Sequence, residues 1–176
     1  MAELFERQVL SDARTEFLDR IKAGAKVHCP VCEKFCTKYE RKLNSQMAIF
    51  LIKLVRRWER GGGWIDVKDL LHSTAGGKNS SDGTYLVQWD MIEAKASPND
   101  PQHKESGIWR PTPHGVNFAR NRVRAPRSVH LYNNHRLAYS PLTVNIVEAL
   151  GEKFDYVELM LPTPLPADDA AATGAL

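Results

Sequence analysis

Hydrophobic residues recur at near-helical spacing along much of this chain. Leu4, Phe5, Val9, Leu10, Phe17, Leu18 and Ile21 predict an amphipathic helix over residues 2–23, with Gly24 as its stop. The clearest pattern is at residues 45–60, where Met47, Phe50, Leu51, Leu54, Val55 and Trp58 make a wide apolar face. Asn44 or Ser45 can cap that helix, Arg56, Arg57 and Arg60 suit the dipole in its last turn, and Gly61-Gly62-Gly63 ends it. Residues 64–71 read as a short extended piece turning into a short helix, with Asp66 as cap, and residues 73–79 as a polar loop. Residues 81–96 read as a further helix with Leu86, Trp89 and Ile92 on one face.

Farther on, the pattern shortens. Residues 97–104 form an expected turn, 108–110 a strand, and Thr112-Pro113 the cap and first residue of a helix through Arg120. Residues 127–139 alternate through Val129, Leu131 and Leu137, with Asn133-Asn134 in the middle, which predicts a hairpin. Ser140-Pro141 opens an expected final helix to Leu150, stopped by Gly151, and residues 154–161 add one short apolar turn or helix. Residues 162–176, rich in Pro, Ala and Asp, read as a disordered tail. These boundaries divide the chain into an N-terminal helix and cysteine knuckle (1–43), a main domain (44–161) and the tail, with no internal repeat.

Composition adds few constraints. At 176 residues, 43% hydrophobic and 26% charged, the chain can bury a core without disulfides. No signal peptide is visible, and the longest apolar stretch, 47–54, is too short to span a bilayer. Three clustered cysteines fit a reducing compartment, here a cytoplasm, better than a disulfide framework.

Charge is more informative. Between Gly107 and Val147 there are six arginines (Arg110, Arg120, Arg122, Arg124, Arg127 and Arg136) and no carboxylate. Four of them fall within residues 120–127. Forked cationic donors with no local acid suit a nucleic-acid backbone or an acidic protein face. Lys38, Arg41 and Lys42 form a second basic patch. The bland alternative is that the arginines are solvated or pair with acids from elsewhere in the fold.

The order helix (45–60), short strand (64–66), short helix (67–72), helix (81–96) and a two-stranded wing, with strands around 91–95 or later and at 108–110, is that of a winged helix-turn-helix. The expected fold class is therefore α+β: a mainly helical winged-helix core with a small β wing or hairpin and an N-terminal cysteine knuckle. The element Trp109…Thr112…Gly115 resembles the end of the wing in MarR-like regulators. Most of residues 26–160 also resembles small phage-encoded proteins, mostly without assigned function. That likeness rests on Cys29-Pro-Val-Cys32, residues 39–45, the Trp109 element, residues 129–134 and residues 148–156. The resemblance implies a phage or prophage origin, a winged-helix core and a place in the host cytoplasm, and brings no catalytic residues. In such a core the second helix of the motif enters the major groove. Here its outward candidates are Thr84, Tyr85 and Gln88, while Asp82, Asp90 and Glu93 on the same segment would repel phosphates.

Cys29-Pro-Val-Cys32 has the spacing of half a zinc site, and Cys36 can join it if a helix begins near Glu33. A fourth ligand would come from His72, His103, His114, His130 or His135, and zinc is the expected cofactor. The rival readings are inert buried thiols and a redox dithiol, although residues 22–28 make a poor strand for a glutaredoxin-like unit. The fragment 130–135 is weak support for an HNH nuclease, since a second pair of zinc cysteines is missing. Trp58, Trp64, Trp89 and Trp109 are expected as core anchors, and Tyr132 and Tyr139 as cross-strand packing. The expectation is a non-enzymatic, DNA-binding regulatory or accessory protein without membrane association. Arg110, Arg120, Arg122, Arg124 and Arg127 would meet phosphates, aided by Lys38, Arg41 and Lys42. The alternative is an effector that binds an acidic host protein through the same face. The apolar N-terminal helix would serve a homodimer or cover the chain's own core.

Overall fold

Residues 2–72, 81–97 and 104–161 are described by a computed structural model. The expected loop 73–79, most of the turn 97–104 and the tail 162–176 lie outside the described residues. The first helix, α1 (Ala2–Lys22), ends where Gly24 takes φ 94°. It buries Ile21 at its C-terminal end and leaves Val9 and Leu10 exposed. The knuckle is a small antiparallel hairpin, β1 (Val27–His28) with β2 (Phe35–Cys36), in which Val27 faces Cys36. Cys36 therefore sits on a strand, and the helix near Glu33 on which its joining a zinc site was conditional does not form. The basic stretch after it is also extended, as β3 (Tyr39–Lys42).

The helix α2 (Ser45–Gly61) organises the core. Its N-cap is Asn44, whose side chain accepts the Met47 amide at 3.0 Å, and Gly62 at φ 63° ends it. Met47, Ala48, Phe50, Leu51, Ile52, Leu54 and Val55 are all buried along one broad face. That face packs against most of the elements that follow. Next come β4 (Ile65–Asp66) and α3 (Val67–His72), with Asp66 accepting the Lys68 amide at 2.9 Å as an expected cap would.

The helix expected through residue 96 stops early, and a strand forms where the wing was expected around 91–95. Ser81–Trp89 is a 3-10 helix, Asp90 turns the chain at φ 56°, and Ile92–Ala96 is a strand, β5. The pairing of β5 with β6 (Lys104–Pro111) outweighs local helix preference here. Gly83 lets the 3-10 helix lie directly on α2, since a Cβ there would stand 2.3 Å from the Phe50 ring. The sheet runs β4-β6-β5, all antiparallel.

Thr112 caps α4 (Pro113–Ala119) as expected, accepting the Gly115 amide at 3.1 Å. Then β7 (Ala125–Pro126) and the hairpin β8 (Ser128–Tyr132) and β9 (His135–Tyr139) follow. Asn133 and Asn134, at φ 47° and 60°, make the two-residue turn that the sequence predicted. The expected helix from Ser140 is much shorter. Thr143–Val144 is drawn into a strand, β10, that pairs with β7, and α5 (Ile146–Leu150) begins after Asn145. A full capping box between Asn145 and Glu148 fixes that start. Finally α6 (Tyr156–Met160) is capped by Asp155.

The chain is thus a mixed α+β protein. Its second three-stranded sheet, β3-β8-β9, joins the N-terminal region to the main body, so pairing crosses the boundary expected near residue 43. Trp89 is buried, with its indole N–H donating to the Pro126 carbonyl at 2.7 Å. Trp58 and Trp109 pack at the edge of the core, whereas Trp64 is partly exposed beneath the Arg110 guanidinium and is not a core anchor.

Candidate nucleic-acid interface and thiol cluster

Four of the six arginines between Gly107 and Val147 meet carboxylates supplied by other elements. Arg110 on β6 donates to Glu93, its direct cross-strand partner on β5, and lies 4.4 Å above the Trp64 ring. Arg120, just past α4, grips Glu59 of α2 through two bonds of 3.0 and 2.6 Å. That hydrogen-bonded charge pair raises the Arg120 pKa further. Arg124 forks onto Glu148 at 3.2 and 2.8 Å and also donates to the Thr143 carbonyl at 2.9 Å. Arg136 donates to Asp90 at 2.9 Å and to the Gln88 carbonyl, above the Tyr139 ring.

Arg122 and Arg127 differ. Both are exposed, and neither side chain forms a salt bridge among the described residues. Arg127 is held through its backbone, donating to the Leu142 carbonyl at 2.7 Å and accepting the Leu43 amide at 2.9 Å. Lys42 is exposed one position away, opposite Ser128. Glu40 lies nearby with its pKa lowered, first by the Ser128 hydroxyl and then by Lys42, His130 and Arg127.

The other expected contacts are engaged within the molecule. Lys38 donates to the Lys22 carbonyl at 2.8 Å. Arg41 pairs with Asp82 and covers the Tyr85 ring at 3.7 Å. Gln88 donates to the Asn134 carbonyl at 2.8 Å, and Thr84 is half-buried. The 3-10 helix that was expected to present Thr84, Tyr85 and Gln88 is therefore overlaid by Arg41 and the β8–β9 turn. Asp82, Asp90 and Glu93, which looked like phosphate repellents in the sequence, are the partners of Arg41, Arg136 and Arg110. Among these, the Glu93–Arg110 pair was accessible to sequence reasoning once β5 and β6 were taken as a hairpin.

Glu148 supports a pH prediction. Its pKa is lowered, first by the Asn145 amide and then by Arg124. A carboxyl depressed in the folded state adds stability above its ordinary range, and that stability is lost as pH falls through the folded value. Acidification should therefore release Arg124 and loosen the start of α5. Comparing thermal midpoints across pH, Glu148→Gln should remove part of the acid-side decline; an unchanged decline would exclude this role.

At the other end, Cys29, Cys32 and Cys36 are free thiols, Cys32 exposed and the others half-buried. Cys29 donates its amide to the Lys34 carbonyl and accepts the Glu33 amide at its own carbonyl, both at 2.9 Å. Glu33, at φ 58°, closes this turn. The amides of Cys32 and Val31 and the Cys32 thiol hydrogen-bond the Cys29 sulfur and lower its pKa. Cys36 donates to the Lys34 carbonyl at 3.3 Å and accepts the Tyr132 hydroxyl at 3.4 Å. Tyr132, pushed up to about 12 chiefly by that bond, also packs edge-on against Phe17 of α1. Its place beside the thiols was not legible in the sequence. Among the described residues no group of three or more His, Cys, Asp or Glu side chains is arranged to hold a metal ion. Among the same residues no helix is long and apolar enough to cross a membrane. No family model, curated protein or solved structure matches the chain.

Proposed function

We propose that this chain is a winged-helix protein that binds the nucleic-acid backbone, duplex DNA first, without reading bases through its 3-10 helix. Two observations support the winged-helix part. The elements α2, β4, α3, the 3-10 helix, β5 and β6 follow in the required order, and their sheet runs β4-β6-β5. The observation that carries the binding part is the exposure of Arg122 and Arg127 without salt bridges among the described residues, in the segment 120–127 with Arg120 and Arg124, where Arg127 lies beside Lys42.

The paired arginines remain usable. The Arg120 and Arg124 side chains keep 39% and 49% of their surface exposed. Ion pairs this exposed contribute roughly 0.2–1 kcal/mol, so a phosphate can displace the carboxylate at small cost. Among the described residues neither Arg122 nor Arg127 has a salt-bridged carboxylate to displace. Replacing both with Ala should weaken binding to all duplex sequences alike and reduce the salt slope by roughly 1.8, from about 0.9 per phosphate contact. Unchanged affinity and slope in the double variant would remove the segment from the interface.

A second reading is an acidic protein partner. It is favoured by Leu142 and Val147, which are exposed apolar side chains next to the Arg127 and Arg124 contacts. A partner captured by this face would survive nuclease treatment.

A further inference from the structure

The cysteine turn places Cys29 and Cys32 three residues apart, with Cys36 on the strand that follows. Residues three apart in a closed turn have Cα atoms within about 7 Å, which overlaps the roughly 4.4–6.8 Å range a disulfide spans. Here the turn is closed by two backbone hydrogen bonds of 2.9 Å at Cys29, and the hairpin β1–β2 holds its base. Cys36, at that base opposite Val27, is engaged by the Lys34 carbonyl and by Tyr132. Val31, between the paired thiols, is 80% exposed, so a small reagent reaches the turn from solvent.

We propose that Cys29 and Cys32 form a reversible dithiol–disulfide couple that exchanges with low-molecular-weight disulfides such as oxidised glutathione, with Cys36 outside the couple. The Cys29 thiolate attacks one sulfur of the reagent, its S–S bond breaks, and one glutathione leaves as thiolate and takes up a proton. The resulting mixed disulfide on Cys29 is then attacked by the Cys32 thiolate, whose proton goes to the second departing glutathione. The protein dithiol loses two electrons and two protons, and one disulfide becomes two thiols. In a reducing compartment such a pair would respond to shifts in thiol poise rather than act as a permanent staple.

The test is equilibration of the full chain in glutathione buffers of graded poise, followed by alkylation and peptide mass mapping. The expected result is joint loss of two thiols with one midpoint, a Cys29–Cys32 crosslink, and Cys36 alkylated throughout. Cys36→Ser should keep that midpoint, and Cys32→Ser should trap the mixed disulfide on Cys29. Three thiols alkylated at every poise would overturn the proposal. So would a crosslink to Cys36, or zinc co-purifying near one per chain and lost when any of the three cysteines is replaced.

Discussion

Replacing Gly115 with Ala should destabilise the protein by roughly 3 kcal/mol, lowering its thermal midpoint by about 6–12 °C. An added methyl would stand 2.0 Å from the Met91 carbonyl oxygen and 2.9 Å from its carbon, which is backbone and cannot swing aside. That carbonyl also accepts the Thr112 amide at 3.0 Å, while the Thr112 hydroxyl donates to the Asp90 carbonyl at 2.6 Å. One glycine thus lets α4 sit against the turn between the 3-10 helix and β5. Gly61→Ala is the control, because its methyl meets the mobile end of Arg57 at 3.2 Å. Equal midpoints for the two variants in calorimetry would contradict this packing.

Trp89→Ala should cost about 3–5 kcal/mol, the range for removing a large buried aromatic. Trp89, the last residue of the 3-10 helix, is 2% exposed within the core, and its indole N–H is the donor to the Pro126 carbonyl on β7. Trp89→Phe should recover most of the packing loss but leave Pro126 without its donor, a deficit of about 1 kcal/mol. Denaturant midpoints for the two variants separate volume from hydrogen bond. Equal losses would show that the ring volume is not what holds this region.

The elements legible in the sequence are those with a local signature. Asn44 and Gly62 bound α2, Thr112-Pro113 opens α4, and the Asn133-Asn134 turn joins β8 to β9. The elements misjudged depend on distant partners. Residues 92–96 leave the helical pattern because β6 is available to pair with them, and residues 143–144 because β7 is. The same holds for charge. Arg120 and Glu59 lie 61 positions apart, and nothing local in the arginine run signals that its neutralising acids come from α2, β5, the turn at Asp90 and α5. The cysteine spacing signals a thiol site, but the contact of Cys36 with Tyr132 follows from its place on a strand.

Binding of a labelled random duplex across a salt series tests the central claim most directly. With two to four arginines of the 120–127 segment on phosphates, the logarithm of the affinity should fall linearly with the logarithm of salt, with a slope of roughly −2 to −4. No binding at the lowest salt, or an affinity that does not change with salt, would contradict it and assign the segment to a protein partner.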